Sequence, residues 1–133
     1  MILRLAALCE DARERPDGRV DLIGLFNELT APGFPAMQDR MMVVFIVEWG
    51  PDDSGELPLR ADMIDASGRK LLTIQGHTRV DPRGSDRAPA QTRLIMPLEK
   101  VVFPKPGRYR FELLAGGDVA DACSLFVGEV PAS

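Results

Sequence analysis

One histidine, two cysteines and one tryptophan are all that 133 residues contain of these types. Each scarcity removes a class of chemistry. A zinc or other transition-metal centre needs several imidazole or thiolate ligands at close spacing, and His77, Cys9 and Cys123 stand far apart in the chain. A nucleophilic triad needs a histidine oriented by an acid and set beside its nucleophile. His77 shares a strand face with Gln75 and Arg79, opposite Leu72 and Ile74, which predicts an exposed side chain, and no G-x-S-x-G elbow occurs. No glycine-rich loop opens a helix, so phosphate cradles of the P-loop and dinucleotide kinds are missing. The aromatic share is only 6%, and Trp49 and Tyr109 have structural places at a strand end and a corner, which leaves no platform for stacking sugars. The longest apolar run, Met41 to Val47, falls far short of the roughly 20 residues that a helix needs to cross a bilayer. Met1 to Glu10 lacks the charged start, long apolar stretch and cleavage site of a secretory leader, and reads as a strand. Cytoplasmic residence is therefore expected, with both cysteines reduced. Basic excess is missing too: the formal charge of -4 disfavours nucleic acid and anionic membranes as partners. The expected enzyme activity and cofactor are none.

What the chain does have is turn-forming residues and two-residue periodicity. Eleven prolines and twelve glycines recur between apolar runs, as a protein of many turns requires. Apolar residues alternate in Ile2–Cys9 (Leu3, Leu5, Ala7 and Cys9 on one face), in Arg19–Phe26, in Leu57–Asp65 and in Lys70–Val80. Gln91–Leu98, Arg108–Ala115 and Val119–Val127 follow, with Pro97 marking an edge or a bulge. Met41–Trp49 is apolar on both faces up to Val47, so it is a central strand covered on both sides, or one partly covered at an interface. Asn27–Arg40 and Asp81–Ala90 are long connections suited to crossings between sheets. No segment keeps a helical period. The expected fold is all-β: one domain over residues 1–133, an eight-stranded antiparallel β-sandwich, immunoglobulin-like or C2-like.

The segment Pro106-Gly107-Arg108-Tyr109-Arg110-Phe111-Glu112-Leu113 resembles the penultimate strand of immunoglobulin-like sandwiches, in which a tyrosine anchors a corner. Together with Cys9-Glu10-Asp11-Ala12, Asp17-Gly18-Arg19, Leu22-Ile23-Gly24-Leu25-Phe26 and Phe34-Pro35-Ala36, it makes the whole chain resemble a family of small bacterial proteins of unknown function. That resemblance implies a cytoplasmic β-sandwich and brings no activity, cofactor or catalytic residue.

Two features point to binding. Phe34 and Met37 are large apolar groups in a connection full of backbone breakers. They either plug the open end of the core or form an apolar patch for a partner. Beside them, Met42, Val44 and Ile46 form the second apolar face of the central strand, which needs a cover from the chain itself or from another subunit. The leading expectation is a non-catalytic protein-binding or assembly module using Phe34, Met37, Met42, Val44 and Ile46, with another protein or a second copy as partner. The alternative is a small-ligand or calcium-binding sandwich. If every connection reverses the strand direction, alternate loops meet at one end and bring Asp17, Asp52, Asp53 and Asp118 together, in the oxygen-rich manner calcium requires. Against this, aspartate is favoured in turns for its local hydrogen bonds, and Arg13, Arg15, Arg83 and Arg87 lie in the same loops.

Overall fold

A computed structural model describes residues 1–130 of the chain. Nine strands are found among the described residues: β1 (Ile2–Glu14), β2 (Val20–Phe26), β3 (Glu28–Ala31), β4 (Ala36–Glu48), β5 (Gly55–Ile64), β6 (Lys70–Val80), β7 (Gln91–Phe103), β8 (Gly107–Ala115) and β9 (Asp118–Glu129). They form two sheets, a four-stranded one in the order β2-β1-β4-β7 and a five-stranded one in the order β3-β9-β8-β5-β6. The alternating side chains meet between the sheets. Met41, Val43, Phe45 and Val47 of β4 pack with Leu59, Ala61 and Met63 of β5 and with Tyr109, Phe111 and Leu113 of β8. Tyr109 is buried, and its hydroxyl both donates to the carbonyl of Lys105 and accepts from the Lys105 amide, which pins the turn before β8. The turn after β8 uses Gly116 and Gly117 at φ 58° and 97°, the positive pair that suits the twist of a two-residue hairpin.

The strand count corrects the expectation of eight, and the sandwich is not wholly antiparallel. The extra strand is β3, which lies inside the connection Asn27–Arg40 and runs parallel to β9, with Glu28 opposite Phe126 and Ala31 opposite Glu129. Four residues are too few to display a period, and a parallel partner a hundred residues away leaves no local trace. β4 also begins at Ala36 rather than Met41.

Departures from strict alternation account for the remaining differences. A register shift between Leu3 and Leu5 reverses the faces of β1, so Ala6 and Leu8 join the main core while Leu5 and Cys9 fall on the other side of the sheet. In β7, Leu98, Val101 and Phe103 are all buried, which two-residue alternation forbids. The change of face occurs around Lys100, whose φ of 53° is left-handed, while the pairing with β4 keeps one register from Glu48–Gln91 to Ala36–Phe103.

The two lateral sides of the sandwich differ. On one side a single residue, Asn27, separates β2 of the first sheet from β3 of the second, so continuous chain closes the gap. On the other side β6 and β7 end their respective sheets, and no backbone ladder joins them.

Candidate functional site

The outer face of the four-stranded sheet is covered by the chain itself. β1 pairs with β4 through its first half and with β2 through its second, and this second half folds with β2 across the outside of β4. Its tip reaches the far edge strand, where the Arg93 guanidinium donates to the Glu14 carboxylate at 3.2 Å and to the carbonyl of Gly18. Beneath this arm, Cys9, Ala12, Met42 and Val44 form a second buried cluster with Leu5, Leu22 and Ile95 packed against it. Val44 is 0% exposed and Met42 is 4% exposed. Neither presents a surface to a partner, which corrects the expectation for both residues. The physical reason is the arm, whose crossing depends on a bend where Gly24 (φ 69°) faces Glu10. Ile46 is half-buried at the rim. Phe34 packs against the main core from its loop, as a plug does. Met37 alone of the five is open, 56% exposed, beside an equally open Val102 opposite it on β7.

The four aspartates are not brought together. Asp17 accepts from the amide of Arg19 within its own turn and lies 3.7 Å from Arg15. Asp53 accepts from the amide of Gly50, and Asp118 holds the N-terminal ammonium at 3.0 Å. Asp52 is exposed in its loop. Among the described residues no three histidine, cysteine, aspartate or glutamate side chains converge on a point that could hold a metal ion. Asp17 and Asp53 instead serve their own turns, and Asp118 the N-terminus.

The remaining titratable groups have structural surroundings. Asp62 is fully buried on the outer side of the five-stranded sheet, where Thr73 donates at 2.7 Å, Arg60 at 3.2 Å, and Lys70 stands 3.5 Å away. Cys9 and Cys123 are free thiols. Burial raises both, Cys123 to about 11, and the Asp11 charge adds to the rise at Cys9, so neither is a ready thiolate. His77 is exposed on β6 opposite Pro58.

The open side between β6 and β7 is what the fold leaves unfinished. At one end a side-chain relay closes it: Trp49 Nε1 donates to Thr92 Oγ1 at 2.8 Å, and Thr92 shares a hydrogen bond with Thr78 at 2.9 Å. Away from that end Leu72 and Ile74 of β6 and Leu94 and Met96 of β7 face the core yet are only partly buried. They border two adjoining cavities, of about 420 Å³ beside Leu72, Leu98 and Val101 and about 190 Å³ beside Leu59, Ile74 and Met96. The two edges differ. β7 is blunted by Pro97 and by the kink at Lys100, both devices that discourage an added strand. β6 runs eleven residues with no proline, charged only near its ends by Lys70 and Arg79. The sequence carried half of this signal, since Pro97 marks an edge. Which strand lies across from it is a matter of strand order, which no local pattern records.

A family model described as a family of unknown function (DUF6941) matches residues 4–128 of the chain. No curated protein matches it.

Proposed function

From the premise that the chain belongs to the DUF6941 family of unknown function, we propose that it is a non-catalytic protein-binding module which takes an extended segment of a partner along β6. The open seam carries this reading. β6 offers an unpaired backbone edge eleven residues long, beside apolar side chains that the sandwich leaves half-covered. A strand added to such an edge gains main-chain hydrogen bonds and places alternate side chains on one face. Here that face lies over Leu94 and Met96, so the matching segment alternates apolar and polar residues. Two further readings belong with this one. The unbridged thiols of Cys9 and Cys123 suit a reducing, cytoplasmic setting. The pairing of β1, β4 and β7 in one sheet and of β5, β8 and β9 in the other, with the Tyr109–Lys105 corner, supports an immunoglobulin-like sandwich extended by the β1–β2 arm and β3.

The test places a photo-crosslinking residue at Gln75 in the full chain, expressed in its own host. The expected result is an adduct whose peptide map gives an extended, alternating segment of another protein, lost when Ile74→Asp charges the seam and kept when Met37→Ser alters the exposed patch. An adduct formed only with a second copy would replace the partner by self-association. Illumination without any adduct would overturn the reading.

A further inference from the structure

The cations of this chain are mostly paired, and the exceptions are not scattered evenly. Among the described residues Arg69, Arg83, Arg87, Lys100, Lys105 and Arg108 lie within ion-pair distance of no carboxylate. Three of them, Arg69, Lys105 and Arg108, line one cleft of about 270 Å³ at the end of the sandwich where the β5–β6 and β7–β8 turns face each other. Its apolar floor is made by Leu71, Pro104 and Pro106 together with Tyr109. The one acid in the lining, Asp65, is already engaged: its Oδ1 accepts from the amides of Ser67 and Arg69 at 2.9 Å and from the Ser67 hydroxyl at 2.7 Å. The cleft therefore carries an excess of positive charge in a chain whose total is -4.

Both walls are held before any ligand arrives. Asp65 ties the β5–β6 turn, and the Tyr109 hydroxyl ties Lys105 while prolines on either side stiffen the β7–β8 turn. Three cations against the single carboxylate of Asp65 leave a positive excess, and an anion that enters between them offsets it and gains charge-assisted hydrogen bonds. Preorganised walls cut the ordering cost of binding. The volume lies just below that of ordinary drug-sized sites, which limits the ligand to a small one.

We infer that this cleft, formed by Arg69, Lys105 and Arg108 over Leu71, Pro104 and Pro106, is a binding site for a small anion, a phosphate or carboxylate attached to a compact apolar group. The cleft shares Leu71 with the larger seam cavity, but its cations stand on the two turns and at the start of β8, so it stands or falls independently of strand addition along β6.

The experiment follows backbone amide resonances of the full chain during titration with phenyl phosphate, with benzoate and with uncharged benzyl alcohol. Phenyl phosphate is expected to give saturable shifts at Arg69, Gly107 and Arg108, and Arg69→Gln with Lys105→Gln to weaken binding by at least about tenfold. The pair Arg83→Gln with Arg87→Gln removes the same charge elsewhere and is expected to leave the affinity unchanged. Benzoate binding at the same amides would extend the site to carboxylates, and its silence would restrict the site to phosphoryl groups; both support it. Shifts that fail to saturate, that centre on other residues, that survive the Arg69–Lys105 pair of substitutions or that benzyl alcohol reproduces would overturn the inference. Each variant is exposed enough to keep its fold, and an unchanged melting curve checks this.

Discussion

Gly24 carries more of the architecture than its size suggests. It adopts φ 69°, a conformation that costs a residue with a β-carbon about 1–2 kcal/mol. An added β-carbon would also stand 2.6 Å from the side chain of Glu10, across the hairpin. The Glu10 end is exposed and can swing away, so the backbone strain is the lasting part. Gly24→Ala is therefore expected to lower the unfolding free energy by about 1–2 kcal/mol, and Glu10→Ala in the same chain to recover only a small part of it. Urea denaturation of the single and double variants measures both. The glycine itself was visible in the sequence among alternating apolar residues. That it marks a bend, and not merely a weak point in a strand, depends on where the rest of the hairpin has to go.

At the scale of elements, the β1–β2 arm is the feature that redirected the reading of the surface. Met42, Val44 and Ile46 were legible as a second apolar face of β4, since alternate residues on both sides of the strand are apolar. The cover for that face was not legible, because Ala12 and Leu22 come to it by a bend and not by pairing with β4. The arm is latched at its tip by Arg93 on β7. Arg93 is the donor in a mostly exposed contact, so Arg93→Ala is expected to change global stability by less than about 1 kcal/mol. Locally the effect is larger: amide exchange over Arg13–Arg19 is expected to speed up while the core of β4 and β8 stays protected, as for a unit that opens by itself. Hydrogen-exchange mass spectrometry distinguishes the two regions. Equal acceleration in both would mean that the arm and the core open together.

For the whole molecule, charge is arranged as local pairs and not as a single field. Asp11 is held below the ordinary carboxylate range by a hydrogen bond from Arg13, Glu48 by Arg4 and Asp65 by Ser67. A carboxyl group whose pKa is lower when folded binds fewer protons in the folded state. Its contribution is present above the unfolded pKa of about 4 and is lost as the pH falls through that value toward the folded one. Stability is therefore expected to be flat from neutrality to about pH 5 and to decline below it. Asp11→Asn, Glu48→Gln and Asp65→Asn combined are expected to make that decline shallower, as read from urea midpoints at successive pH values. All three groups are partly exposed, so added salt is expected to weaken the effect contributed by Asp11 and Glu48 through their arginines.

The sequence by itself determined the class of structure: period-two alternation, turns rich in proline and glycine, and a central strand apolar on both faces leave little but a two-sheet β fold. It also determined the inward set Tyr109, Phe111 and Leu113, because alternation within one strand is a local property. The tertiary structure decided everything that depends on which strands become neighbours. It placed β3 parallel to β9, laid the arm over Met42 and Val44, left β6 and β7 facing each other unpaired, and set Arg69 beside Lys105 and Arg108 across two turns. Periodicity records the face on which a side chain lies, and strand order records what stands opposite that face. Only the first is written in short stretches of sequence.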